Sequence, residues 1–128
     1  MAKLSETTRR AGEGLLSEGD FHISRDNITV ASGAGVIVPG MVLGRITASG
    51  KYVPSANTEI TGEEGAHVGV AIALYGCDAT SADQKIAAIT RNAEFNGHSL
   101  SFDSTVNDGT KRAAKIAQLA AVNIIARF

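Results

Sequence analysis

The sequence contains few aromatic residues and no tryptophan; aromatic side chains make up 5% of its 128 residues. Since large aromatic side chains supply much of the buried area in most cores, this core must be built from Val, Ile, Leu and Ala. Glycine is abundant, with 14 residues, and a residue without a Cβ atom lets two backbones approach closely. We therefore expect a thin aliphatic core with close contacts between backbones.

The chain also has only one cysteine, little net charge and no long apolar run, and each of these features disfavours a class of protein. The single Cys77 cannot form an intramolecular disulfide, which favours a reducing cytosol over export. The net charge is -1, whereas a nucleic-acid-binding protein usually has an excess of basic residues. No apolar run approaches the roughly 18 residues of a membrane span, and the first residues lack the apolar stretch of a signal peptide. We expect a soluble, unprocessed single domain with no nucleic acid and no membrane as partner.

Residues 33–40, GAGVIVPG, have a glycine spacing similar to that of loops that bind nucleotide phosphates. Such a loop needs a helix after it, and a P-loop also needs Lys and then Ser or Thr after its last glycine. Here Gly40 is followed by Met41 and Val42, and residues 36–38 are β-branched and precede a proline, which favours strand over helix. The stretch predicts two turns around a short strand, with glycine chosen where φ must be positive.

Strand patterns separated by turn residues dominate the chain from residue 27 onwards. The loop at residues 48–50 predicts a β-hairpin, and the nearly continuous apolar run at residues 67–75 predicts a buried strand. Residues 54–66 predict a surface loop and residues 78–83 a polar turn. The predicted strands are residues 27–31, 36–38, 41–47, 51–53, 67–75, 84–95 and 122–128, although the alanines of residues 84–95 leave a helix open there.

One amphipathic helix is predicted over residues 111–121, which are dense in strong helix formers. Residues 107–110 offer the side chains of an N-cap. The apolar stripe of this helix is predicted to consist of Ala113, Ile116, Ala117 and Ala120. The chain as a whole therefore predicts a mainly β domain with one helix near its C-terminus.

Residues 1–20 differ in composition from the rest of the chain, because they are polar and carry three glycines. Such a segment cannot bury enough apolar surface to offset the entropy of ordering it, so we expect a free N-terminal arm. Leu15 and Leu16, followed by the alternating residues 21–24, could dock as a strand on another protein. This is the first indication of function.

Residues capable of catalysis or metal binding are few and scattered. The histidines and the cysteine lack the close spacing of zinc ligands; they are His22, His67, Cys77 and His98. Several carboxylates lie in predicted loops, where they are normally solvated; they are Glu63, Glu64, Asp78 and Asp83. Three basic residues share the predicted helix, where we expect a solvated face, with a contact role as the alternative; they are Lys111, Arg112 and Lys115. We predict no catalytic residue, no cofactor and no metal.

Five segments of the chain are informative through their order and spacing. They are SRDNITVASGAGVIVPGMVLGRIT, ASGKYVP, GVAIALYGCDAT, AAITRNAEFN and TKRAAKIAQLAAVNIIAR. Together they resemble the head decoration proteins of tailed phages of the lambda protein D type. The resemblance extends from about Ser24 to Arg127 and so covers most of the chain.

The resemblance implies a β-tulip or β-clip domain at residues 25–128 with one C-terminal helix, and an extended flexible arm at residues 1–24. It implies a homotrimer on the outer surface of the virion, at three-fold positions of the expanded head, made in the cytoplasm of a bacterial host. The implied partner is the major capsid protein, to which the arm adds a strand, and the implied function is to cement the shell against DNA pressure. The residues expected to contact the capsid are Leu15, Leu16, Phe21, His22, Ile23, Ser24 and Arg25.

Two other classes remain open. A biotinyl or lipoyl carrier domain is also small and β-rich, and it needs a modifiable lysine at a hairpin tip. Lys51 is the only hairpin lysine, and its neighbours Gly50 and Tyr52 differ from the methionine or acidic surroundings of such a site. A small enzyme could assemble Cys77 with a histidine in space, and it would lose turnover in Cys77→Ala.

Overall fold

The computed structural model of the protein describes residues 9–20 and 23–128. This part of the chain is mainly β with one α-helix near the C-terminus, which confirms the predicted fold class. Helix α1 spans Gly109–Ala121, and Gly97–Ser99 form one turn of 3₁₀ helix. The strands are β1 (Leu15–Glu18), β2 (Arg25–Val30), β3 (Gly35–Ile37), β4 (Val42–Arg45), β5 (Tyr52–Pro54), β6 (Gly69–Ala73), β7 (Cys77–Ala79), β8 (Gln84–Ile89), β9 (Ala93–Asn96) and β10 (Ile124–Arg127).

Five of the strands close into a barrel in the order β2-β5-β4-β6-β8. The antiparallel ladder between β2 and β8 runs the full length of both strands. Successive side chains of a strand face opposite sides, so Ile28 and Val30 are buried while Asn27 is exposed. The buried residues of the interior are aliphatic, as expected from the shortage of aromatics: Ile28, Val30, Ile37, Leu43, Ala71, Ala73, Ala79, Ile86 and Ala88.

A second sheet has the order β1-β9-β10, with β1 antiparallel and β10 parallel to β9. Helix α1 packs on both β10 and the barrel strand β6. Phe95 of β9, Leu119 of α1 and Ile124 of β10 are buried in one cluster with Ile72 and Ile89 of the barrel. This shared apolar cluster joins the second sheet and the helix to the barrel.

The glycine-rich stretch at residues 33–40 forms β3 between two turns, as its sequence predicts. Gly33 and Gly40 have φ values of 90° and 87°, a region that residues with a Cβ atom rarely adopt. A Cβ atom on Gly40 would also lie 2.5 Å from the carbonyl oxygen of Ser99. The glycines therefore serve the turns and the close approach of a neighbouring backbone.

The predicted hairpin, helix and closing strand are confirmed. β4 and β5 pair antiparallel on either side of the loop at residues 48–50, and β10 follows α1. The backbone N–H of Lys111 donates to the Asp108 carboxylate at 2.8 Å, so Asp108 caps the helix.

One strand prediction and one turn prediction need correction. Residues 84–95 are two strands, β8 and β9, separated by Asn92 in a left-handed conformation with φ of 52°. Asparagine tolerates this region better than most residues, and the amide of Asn123, which also has a positive φ of 61°, donates to the Asn92 side chain at 2.9 Å. The turn predicted at residues 78–83 also begins later, because Asp78 and Ala79 belong to β7 and pair with β3.

The predicted apolar stripe of α1 is confirmed at Ile116, which packs against the shared apolar cluster, and is wrong at its three alanines. Lys115 and Leu119, four positions apart, are the buried residues of the helix, and Ile116 is half-buried. Ala113, Ala117 and Ala120 are exposed. Because an alanine methyl buries little area, the helix is oriented by the larger Leu119 and by the polar contacts of Lys115.

The structure differs from the expectation of a free arm in part of the N-terminal segment. β1 pairs with β9, and the half-buried Leu15 packs on the cluster that contains Phe95. The backbone N–H of Gly12 donates to the Leu74 carbonyl, and that of Gly19 to the Asn92 carbonyl, both at 2.9 Å. Composition alone underestimates this segment, since its main chain is held by strand pairing.

Candidate interaction surface at strand β1

Among the described strands, β1 lies at one end of its sheet, with β9 paired along one of its edges. Leu15 is opposite Phe95 and Glu18 is opposite Ala93, with an irregularity in register between Leu15 and Ser17. Within residues 9–20 and 23–128, no second strand pairs with the outer edge of β1. An open strand edge is a template for pairing with another chain.

The apolar residues expected to contact a partner differ in their exposure. Leu16 is 55% exposed and Ile23 is 53% exposed, so both side chains are available at the surface. Leu15 faces the opposite side of β1 and packs inside. Phe21 and His22 lie outside the described residues.

Ser24 has a structural role in the folded chain. Its side chain is fully buried, where Oγ accepts from the backbone N–H of Gly19 at 2.8 Å and donates to the Asn92 carbonyl at 2.7 Å. These bonds close the connection between β1 and β2 over the turn at Asn92. A contact between Ser24 and a partner would need this arrangement to open.

Arg25, the first residue of β2, forms a two-pronged ion pair with Glu18, the last residue of β1. Nε donates to one carboxylate oxygen at 2.8 Å and Nη2 to the other at 2.7 Å. This bond to Glu18 raises the pKa of the Arg25 guanidinium above its usual value. The pair connects the second sheet to the barrel at the surface, where such pairs contribute little to stability but fix geometry.

Side chains that the sequence analysis did not single out complete this surface. Arg91 donates to the Ile23 carbonyl at 2.6 Å and to the Asp26 carboxylate at 2.5 Å. Glu94 of β9 accepts from Ser17 at 2.9 Å and from Arg127 at 2.7 Å. These partners are far apart in sequence, so no local pattern could have revealed them.

The described residues among those considered for catalysis lie on separate elements, and His22 is outside the described residues. His67 precedes β6, Cys77 begins β7 and His98 lies in the 3₁₀ turn with its ring 5.2 Å from that of Phe128. Burial, and secondarily the charge of Asp78, raises the pKa of the Cys77 thiol, which is unfavourable for a nucleophile. Across the described ranges, no group of three potential ligands could hold a metal ion.

The lysines considered for function, Lys51, Lys111 and Lys115, are all engaged in contacts within the chain. Lys51, the candidate for a carrier lysine, forms an ion pair with Asp83 at 2.7 Å. The solvated basic face predicted on α1 is wrong at Lys115, which is only 2% exposed. Lys111 and Arg112 lie nearer the surface, with the Arg112 guanidinium 6.0 Å from the centre of the Phe102 ring.

No helix in the described part of the chain is long and apolar enough to cross a membrane. The described residues form a small, mainly β barrel domain that carries a second, three-stranded sheet and one α-helix. The protein-family model described as bacteriophage lambda head decoration protein D matches residues 4–124, and the chain belongs to this family of structural phage-head proteins. A search of the curated proteins gives no match.

Proposed function

We propose that this protein decorates the expanded phage head as a homotrimer at the three-fold positions and stabilises the shell against the pressure of packaged DNA. It would lie on the outer surface of the virion, after synthesis in the cytoplasm of the bacterial host. Family membership supports decoration of the head. The observation that carries the mechanism is the outer edge of β1, which no described strand covers, beside the exposed Leu16.

The contact with the major capsid protein would be strand addition at this edge. Each main-chain hydrogen bond would contribute a net of about 0.5 to 1.5 kcal/mol. Because β1 is already paired with β9, its own residues would lose little conformational freedom on binding. Leu16 would supply the side-chain contact, while Leu15 stays packed on Phe95.

A trimer would convert these weak contacts into firm attachment. Once one edge is bound, the second and third bind as intramolecular events, and avidity can exceed the affinity of one contact by about 10² to 10⁴. A trimer that bridges neighbouring capsid subunits would resist their separation from outside the shell. Contact with the packaged DNA is not needed, which agrees with the net charge of -1.

The test of this proposal is the binding of Leu16→Glu to expanded shells that lack decoration protein. An unpaired carboxylate in an apolar contact is costly, so we expect affinity to fall at least about tenfold per contact. Val36→Glu is the matched control, because Val36 is 63% exposed on β3, outside the β1 sheet. Cosedimentation with shells measures the binding.

Light scattering on both variants should give a mass about three times the 13.2 kDa of one chain. A Leu16→Glu trimer that binds shells as tightly as the wild type would refute the role of the β1 edge. A monomeric wild-type protein at binding concentrations would refute the trimer.

A further inference from the structure

Lys115 is a buried lysine whose hydrogen-bond partners are all neutral oxygens. It lies in the middle of α1 and is 2% exposed. Its ammonium group donates to Ser55 Oγ at 2.9 Å, to the Ala56 carbonyl at 2.6 Å and to the His67 carbonyl. All three N–H donors of the ammonium group are therefore used.

The three acceptors come from the two ends of one surface loop. Residues 55–68, hereafter the 55–68 loop, connect β5 to β6. Ser55 and Ala56 begin this loop and His67 lies near its end, so one nitrogen atom of α1 brings both ends together. A compact surface loop with adjacent ends has the geometry of an Ω-loop.

Hydrophobic packing alone gives no reason for a lysine at this position. Burying a charge is costly unless it is well hydrogen-bonded, and burial lowers the pKa of Lys115. Leu119, one turn later, fills its own buried position without that cost. What the ammonium adds is a set of donors for two carbonyl groups at the base of the loop, which would otherwise be buried without these bonds.

A neighbouring side chain of α1 acts at the same place. Gln118 accepts from the backbone N–H of Gly69 at 2.8 Å, where the 55–68 loop enters β6. The loop itself is held by short-range turns, including bonds from Glu63 N–H to the Ile60 carbonyl at 2.9 Å and from Ala66 N–H to the Glu63 carbonyl at 3.1 Å. The tip is thus held by local turns and by a bond from the Thr47 N–H to the Glu64 carbonyl at 3.0 Å, while α1 bonds the base.

We propose that Lys115 is an internal cation that latches the 55–68 loop to helix α1. The latch determines how the loop presents Ile60, which is 45% exposed, together with its glutamates. Without the ammonium, the base of the loop opens because it loses these three hydrogen bonds. The barrel strands β2 and β8 stay paired, because their ladder does not involve Lys115. This inference does not depend on the proposed role in the phage head.

The first test is hydrogen exchange measured by mass spectrometry on full-length Lys115→Met, which keeps most of the side-chain stem and removes the ammonium. Amides of the 55–68 loop should exchange at least about tenfold faster than in the wild type, with β2 and β8 little changed. Lys111→Met, one turn earlier on the helix surface, is the matched control and should leave loop exchange unchanged. Equal loop exchange in Lys115→Met and wild type would overturn the latch.

A chemical rescue keeps the inference testable if Lys115→Met does not fold. In a Cys77→Ser background, Lys115→Cys is alkylated in denaturant with either an aminoethyl or a propyl group and then refolded. The two products have side chains of equal length and differ in the ammonium. The latch is supported if only the aminoethyl product refolds, or if only that product has slow exchange in the loop. It is overturned if the two products refold equally and exchange loop amides at the same rate.

Discussion

Gly44 shows at a single residue how a core with few aromatics is assembled. It lies in β4 and is buried, and a Cβ atom there would be 1.8 Å from the Ala66 carbonyl oxygen. The loop backbone therefore rests directly on the strand backbone. The expectation of close contacts between backbones, derived from glycine content and aromatic shortage, is confirmed at this position.

Gly44→Ala should destabilise the protein strongly. The new methyl group meets backbone atoms that cannot rotate away, and overpacking of this kind typically costs about 1 to 3 kcal/mol or more. Urea unfolding at neutral pH measures the change in the free energy of unfolding. Gly109→Ala is the control, since no atom lies within 4 Å of its added Cβ; equal stabilities for the two variants would contradict the packing described for β4.

At the scale of elements, the docking of β1 is the feature with most bearing on function. Leu15 is half-buried against the cluster of Phe95, whereas the adjacent Leu16 is exposed. Leu15→Ala should therefore lower the free energy of unfolding by about 1 to 2 kcal/mol, part of the cost of a fully buried leucine. Leu16→Ala should change it by less than about 0.5 kcal/mol.

The pair of variants separates a docked β1 from a free one. Chemical denaturation of each purified variant measures the difference directly, because both variants replace a leucine by alanine at neighbouring positions. If Leu15→Ala is as stable as Leu16→Ala, β1 is not packed on β9 in the isolated protein. The arm predicted from composition would then extend through Glu18.

Elements with local signals could be predicted from the sequence, whereas elements defined by distant partners could not. The Pro-Gly turn and the helix of residues 109–121 follow from backbone sterics, capping and propensity. β1 depends on Phe95 and Glu94, and the break at Asn92 depends on Asn123. The buried face of α1 was predicted wrongly for the same reason: the acceptors of Lys115 lie far away in sequence, in residues 55–67.

For the whole molecule, the order of five segments indicated the family, and the match over residues 4–124 confirms it. The surface proposed for binding was only partly predictable. Leu16 and Ile23 are exposed as a contact requires, but the buried Ser24 and the paired Arg25 serve the chain's own structure. Alternation of apolar and polar residues does not distinguish a side chain that binds a partner from one that closes a turn.

Carboxylates that join separate elements should make the stability of the fold depend modestly on pH, because their ion pairs are at least 40% exposed and screened by solvent. Hydrogen bonds lower the pKa of Asp26, through Thr90 and then Arg91, and of Glu94, through Arg127 and then Ser17. A lowered pKa means that the unfolded chain binds more protons than the folded one as the pH falls through this range. Their contribution to stability is therefore complete at neutral pH and is lost as the pH falls from about 5 towards 2.

Asp26→Asn isolates one of these contributions, since an amide cannot carry the charge that Arg91 faces at 2.5 Å. The difference in free energy of unfolding between wild type and Asp26→Asn should be largest at pH 7 and shrink as the pH falls from about 5 towards 2, as measured by urea unfolding at a series of pH values. Asp20→Asn serves as a control, because Asp20 is exposed in the turn after β1. A difference that stays constant with pH would show that the Asp26 charge does not connect β2 to the turn between β8 and β9.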